Sequence, residues 1–417
     1  MILPAGMRAF RHRNFRLFYM GQGVSQIGFW LQQIATGWLI YRLSGSAFLL
    51  GFASFAMQIP FLVLAPLAGV FIDRLDRRRV LVITNSIATA QATAMFVLVA
   101  LGIAQPWHLI AGNLVLGIVS ACDSPARQSI LVELVSGKAD LPNAIALNSA
   151  MMNGARFVGP LLGGAVIAAL GERWGYGLNA LTYVWMLAAL SRVHLAPRHP
   201  TGSGGGLFGQ IAAGARYAFG FRPTRCALAL LAATGITIQS YAAQMPWFAR
   251  EAFHGNSTTL GLLVGAGGLG AVSGMFYLAM RADIRGLLRL IGATSAMAGV
   301  ALAAFSFTSS LWAALPALYL VSMGSMLTAA STNTVLQSIV PDELRGRVAS
   351  LYVMSFLGMS PLGALASGWV AERIGPPATL AACGIIAVGA AALYATRLPA
   401  IRRDIRPVYA ELGIIQK

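Results

Sequence analysis

Twelve mainly apolar stretches, most of about the length that crosses a bilayer, follow one another along the 417-residue chain. Roughly 20 residues in a helix rise about 30 Å, the thickness of the hydrocarbon core. Backbone in lipid has no water to bond to, so each stretch is expected to close its hydrogen bonds within itself as a helix. The expected spans are 15–41, 47–72, 80–102, 107–122, 144–170 and 176–190, then 227–248, 259–280, 287–307, 311–335, 348–370 and 378–398. Only 10% of the residues are charged and 57% are hydrophobic. A soluble domain carries about a quarter charged residues, so lipid is the solvent for much of this surface.

The formal net charge of +17 raises the question of nucleic acid, and the placement of the charges answers it. Of 30 lysines and arginines, 25 fall in the two termini and the even-numbered connections or at the span edges that adjoin them, 4 in the odd-numbered connections, and 1, Arg156, well inside a span. Basic residues stay on the cytoplasmic side of a membrane. The alternation therefore predicts both termini inside and a multi-pass protein of the cell (inner) membrane. Miscounting one helix would scramble it. The charge reads as topology and attraction to the lipid bilayer, with no nucleic acid among the partners.

The longest connection falls midway and contains the run Thr201-Gly202-Ser203-Gly204-Gly205-Gly206, the composition of a flexible linker. It is followed by a mixed stretch, 207–221, that reads as a helix lying on the membrane surface. The flanking halves echo one another. Gly45-Ser46-Ala47 leads to Gly51 as Gly255-Asn256-Ser257 leads to Gly261, and Leu131-Val132-Glu133-Leu134-Val135 followed by Gly159-Pro160 resembles Leu336-Gln337-Ser338-Ile339-Val340 followed by Ser360-Pro361. These echoes indicate a duplicated six-helix unit. The expected domains are 1–193, a linker at 194–225, and 226–417 with a cytoplasmic tail. Repeats of this kind place a small-molecule substrate near the midplane.

Between the second and third spans stands Gly69-Val70-Phe71-Ile72-Asp73-Arg74-Leu75-Asp76-Arg77-Arg78-Arg79-Val80-Leu81. An aspartate at the membrane boundary followed by a tight basic turn can lock to a neighbouring helix end, and such a latch holds one conformational state. Gly69, Asp73, Arg74, Arg77 and Arg78 are the expected gating residues, with Asp123 the expected partner of Arg77. This segment resembles the G-x-L-A-D-R-x-G-R-R/K-x-x-L signature of the major facilitator superfamily, departing from it at Asp76 where glycine is usual. The resemblance covers the whole chain. It implies an all-α membrane protein of twelve transmembrane helices in two pseudo-symmetric six-helix bundles, acting as a secondary transporter and as a monomer.

Polar stripes outline an expected cavity. At 100° per residue Gln22, Gln26 and Gln33 share a face of the first span, and Thr237, Tyr241 and Gln244 share one on the seventh. Asn113 belongs to a stripe on the fourth span and Thr328 to one on the tenth; the resemblance implies that these four helices line the cavity. The fifth span adds Asn148 and Arg156. An arginine about 20 Å deep needs an aqueous cavity or partners, and it reads equally as a substrate contact or a buried structural residue. Gly159, Pro160, Gly163 and Gly164 resemble the core of the superfamily's exporter-associated fifth-helix motif, and small residues there permit close helix packing.

No acidic residue is expected at the middle of any span, which leaves protons as a candidate coupling ion without an evident carrier. The chain carries neither the clustered carboxylates nor the histidine pairs that a membrane enzyme holds for a metal, and no phosphate-binding loop. The expectation is therefore no enzyme, no cofactor and no metal. Arg13-Asn14-Phe15-Arg16-Leu17-Phe18, the fifth-span motif, and Pro341-Asp342-Glu343-Leu344-Arg345-Gly346-Arg347-Val348 most resemble the drug- and siderophore-exporting branch, with macrolide or enterobactin exporters as relatives. Efflux is the expected activity. Uptake of a small metabolite, or a non-transporting receptor of the same fold, are the alternatives.

Overall fold

A computed structural model describes residues 5–72, 75–135, 139–193, 216–281 and 283–411, and every regular element among them is helical. After a short 3₁₀ segment, Ala5–Arg11, come α1 (Arg13–Ser44), α2 (Ala47–Ile72), α3 (Arg77–Ala100), α4 (Pro106–Leu134), α5 (Leu141–Leu170) and α6 (Arg173–Ser191). Then follow α7 (Arg222–Thr237), α8 (Tyr241–Trp247), α9 (Ser257–Ala279), α10 (Leu287–Ser306), α11 (Leu311–Ile339), α12 (Asp342–Val353), α13 (Met359–Ile374) and α14 (Pro376–Glu411). Among the described residues, ten helical segments are long and apolar enough to cross a membrane. The helices α1 and α6 are outside that set. The first carries Gln22, Gln26, Gln32 and Gln33, and the second Arg173 and Asn179, which dilute their apolar character.

Local chemistry sets the helix ends. Gly45 closes α1 in the left-handed region (φ 64°), where a side chain would be strained, and its N–H bonds the Tyr41 carbonyl at 2.8 Å. Asp76 is the N-cap of α3. Its carboxylate accepts from the backbone N–H groups of Arg78 (2.9 Å) and Arg79 (3.2 Å). Gln105 and His108 form a reciprocal capping box ahead of α4, with Pro106 at its first turn.

Three expected boundaries are corrected. The fourth helix does not stop at residue 122 but continues to Leu134, because Ala126, Ile130 and Leu134, spaced by four, bury a continuous apolar stripe. The seventh span is broken. The helix stops at Thr237, resumes at Tyr241 and ends in a π turn over Phe248–Ala252, close to Pro246, which has no N–H to donate. A second π turn, Met354–Gly358, separates α12 from α13. It packs against α7 at Gly235, where a β-carbon would stand 2.7 Å from the Phe356 carbonyl oxygen.

The described chain divides into two compact units, Met1–Gly202 with Met245–Gly265, and Ser203–Gln244 with Ala266–Lys417. In the first, α1 packs on α5 and α6, α2 on α4, and α3 on α4 and α6. One end of the bundle is plugged by Phe15, Phe18, Leu81, Ile130, Leu134, Met186 and Leu190. The segment 245–265 belongs to this unit: Ser257 Oγ donates to the Gly164 carbonyl (3.1 Å) and Tyr41 OH to Glu251 (3.1 Å). A β-carbon on Gly164 would stand 2.5 Å from the Ser257 carbonyl oxygen, so only glycine permits this approach. In the second unit α10 packs on α11 and α14, and α7 on α13 and α14. Leu228, Ile291, Leu336, Ile339 and Ile401 fill its equivalent plug. Most of the expected linker, 194–215, lies outside the described residues; 216–220 are helical, and Ala218 is buried in that second plug.

Candidate functional site

A cavity of about 590 Å³ opens inside the first unit among α1, α3, α4, α5 and α6, next to the plugged end. Its wall is built around a charged pair on α4. Asp123 lies eleven residues before the end of that helix, about 16 Å along its axis. One carboxylate oxygen accepts from Thr84 Oγ1 (2.9 Å) and Asn85 Nδ2 (3.2 Å), both on α3. The other pairs with the Arg127 guanidinium one helical turn on. Arg127 Nη2 also donates to Asn85 Oδ1 (3.3 Å), closing the cluster. The two side chains are 15% and 14% exposed, so removing either partner would strand a largely desolvated charge.

Two buried atoms in this wall have no partner among the described residues: Arg127 Nη1, a donor, and Gln22 Oε1, an acceptor. The amide nitrogens of Gln22 and Gln26 meet only the soft acceptor Met152 Sδ, at 3.3 and 2.7 Å. Asn148 lines the cavity and makes no hydrogen bond to a described residue. A buried polar group without a partner is unfavourable by about 1–3 kcal/mol, so this wall is suited to a guest that carries both donors and acceptors. Its apolar lining, Phe29, Leu116, Val119 and Ile145, suits the guest's hydrocarbon.

The structure brings Gln22, Gln26 and Asn148 together and distributes the other expected cavity residues elsewhere. Gln33 does not line the cavity; its neighbour Gln32 is buried and joins Gln91 (3.0 Å) and Asn179 (2.7 Å) in a packing network. Asn113 donates to the Ala53 carbonyl (3.1 Å) and holds α4 to α2. Arg156 is half-buried, and no described residue offers it a hydrogen bond or ion pair. On α5 it shares a face with Ser149 and Asn153, which line the cavity two turns and one turn earlier respectively.

In the second unit Thr237 bonds back to Ala233 (2.7 Å), Tyr241 meets Ser322 (2.7 Å), and Thr328 meets Thr294 (2.8 Å). Tyr241 and Thr328 thereby serve helix packing, and Thr237 is satisfied within its own helix. Gln244 is fully buried and neither end of its amide finds a partner among the described residues. Along the fifth helix, Gly159 and Gly163 admit Trp30 and Leu31 of α1, Pro160 lies inside the continuous helix, and Gly164 admits the start of α9.

The expected latch is rearranged. Arg77 does not pair with Asp123, which is engaged by Arg127; it pairs with Glu133 and donates to the Ser129 carbonyl (3.4 Å) near the end of α4. The extension of α4 past residue 122 carries Glu133 to that position and draws Asp123 into the bundle. Arg78 caps α6, donating to the carbonyls of Leu190 (2.8 Å) and Ser191 (3.0 Å). Gly69 falls on α2, and Asp73 and Arg74 lie outside the described residues.

The Asp123–Arg127–Asn85–Thr84 cluster is what sequence reasoning missed. Its signal was present: an Asp and an Arg four apart, inside a stretch whose apolar residues keep helical spacing.

Known proteins give this geometry a context. The chain matches the profile of the transmembrane secretion effectors over residues 5–410. It is 26% identical to the staphyloferrin A transporter of Staphylococcus aureus over 89% of this chain and 92% of that one. It is 28% identical to the multidrug efflux pump Tap of Mycobacterium tuberculosis over 93% and 92%. Its fold is shared with a crystal structure of the peptide transporter POT, at a TM-score of 0.75 and 12% identity, covering 94% and 95% of the two chains. The chain is a multi-pass protein of the cytoplasmic membrane, a transporter and not an enzyme, and it belongs to the transmembrane secretion effector family of the major facilitator superfamily.

Proposed function

We propose that this protein exports a small organic molecule, drug-like or siderophore-like, by alternating access. In this reading twelve spans form two six-helix halves, 1–193 and 226–417, joined at 194–225, with both termini in the cytoplasm. The observation that carries it is the cavity among α1 and α3–α6, lined by amides, hydroxyls and one ion pair, with unpartnered polar atoms in its wall. The relatives, a staphyloferrin A transporter and a multidrug efflux pump, support the same reading.

Arg77–Glu133 is the latch in this scheme, made in one access state and broken in the other. Asp123 is the carboxylate through which protons would couple to transport, since a buried aspartate in a membrane helix marks an ion or proton path. Expression in cells stripped of their own efflux pumps tests the direction. Intracellular accumulation is read for a panel of lipophilic antibiotics and iron chelators. Export lowers accumulation of at least one compound; higher accumulation in expressing cells would support uptake instead.

A further inference from the structure

A second cavity, about 410 Å³, lies on the outside of the second unit between α7 and α14. Its α7 wall is built from residues 222, 225, 226, 229, 230 and 233, and its α14 wall from 390, 393, 394 and 397. Both follow helical spacing, so each is one face of one helix. The two faces are polarised alike. Arg222 and Arg225 at the start of α7 stand at the same end as Arg397 on α14. Beyond them the walls are apolar, and Ala229, Ala233 and Ala390 are too small to fill the space. From Arg225 to Ala233 the groove runs about 12 Å along the helix axis.

Arg222 lies 3.7 Å from Asp404, and Arg225 donates to the Phe219 carbonyl (3.3 Å). Arg397 is exposed and makes no hydrogen bond or ion pair with a described residue. Tyr394, a residue only 4% exposed, closes the floor of the groove with its hydroxyl buried beneath the surface. Three cations against one carboxylate and an apolar trough leading away from them match an anionic headgroup attached to an acyl chain. Basic pockets between membrane helices hold such headgroups, and the alanines leave room for the chain.

We propose that this groove is a binding site for an anionic phospholipid, with the phosphate on Arg225 and Arg397 and an acyl chain along Ala229 and Ala233. The site stands apart from the transport cavity and does not depend on the transport reading.

Native mass spectrometry of the full-length protein, released from nanodiscs of phosphatidylglycerol and phosphatidylcholine, tests it. Retention of one phosphatidylglycerol in preference to phosphatidylcholine is expected. Arg397→Gln, which removes no hydrogen bond or ion pair to a described residue, is expected to weaken that preference about fivefold. Ala229→Leu, an exposed position, is expected to weaken it without altering charge. Equal retention of the two lipids overturns the proposal, as does indifference to both variants. Displacement by glycerol 3-phosphate as effective as by phosphatidylglycerol also overturns it, since the site would then take free phosphate esters.

Discussion

At the residue scale, the charged pair of α4 governs the wall of the cavity in the first unit. Asp123 satisfies three donors at once, from Thr84, Asn85 and Arg127. Replacing it with asparagine leaves Arg127 without its counter-ion in a mostly desolvated place, which destabilises a fold by about 3 kcal/mol. Asp123→Asn is therefore expected to lower the unfolding midpoint in detergent, and Asp123→Asn combined with Arg127→Gln to recover most of that loss. Both are expected to abolish transport, so stability and transport separate in the double variant. A double variant no more stable than the single one would show that the two side chains are not coupled. Asp76 offers a smaller test. Asp76→Ala removes an N-cap and is expected to lower stability by about 1 kcal/mol, Asp76→Gly by only a few tenths. Hydrogen exchange at the Arg78 and Arg79 amides reads it directly.

At the scale of elements, the proposed latch, Arg77 with Glu133, joins the first turn of α3 to the end of α4. Arg77→Glu places two carboxylates side by side with Glu133 and is expected to abolish transport while the protein still inserts. Adding Glu133→Arg restores the pair with its sense reversed and is expected to return a measurable fraction of transport. No recovery, at equal amounts in the membrane, would mean that the pair does not act as a latch.

This element also shows how far the sequence was legible. The basic turn and the need for an acidic partner could be read from residues 69–81, because a charge cluster at a span boundary has few uses. Which acid served could not. That depended on where α4 ends, and a hydropathy reading stops at the first charge it meets. The helix continues because Ala126, Ile130 and Leu134 bury one face, so Asp123 and Arg127 are tolerated by pairing rather than by leaving the bundle. The polar stripes were equally visible and equally ambiguous. Gln22 and Gln26 line the cavity, whereas Asn113 and Thr328 have the same spacing and bond neighbouring helices. Periodicity gives the face of a helix but not what the face meets.

At the scale of the whole molecule, each unit repeats one plan. Helix ends that carry the basic connections converge on an apolar plug, and polar residues lie beyond it. In the first unit that polar layer opens into the cavity. The described glycines, Gly164 and Gly261 above all, allow the segment 245–265 to join the first unit at close range. A bulky residue at Gly164 is expected to disrupt that approach and reduce transport without preventing insertion, measured by export activity against the amount of protein in the membrane.

The central claim is that the cavity among α1 and α3–α6 holds the exported molecule. It is tested most directly by Gln26→Leu and Asn148→Leu, two cavity residues whose side chains make little or no hydrogen bonding beyond Met152. Initial export rates would be measured in cells for a compound whose accumulation the wild-type protein lowers, with the membrane level of each variant matched. The cavity reading predicts that both variants lose most of the export, with a raised half-saturating concentration and normal insertion. Wild-type rates and concentration dependence in both variants would contradict it.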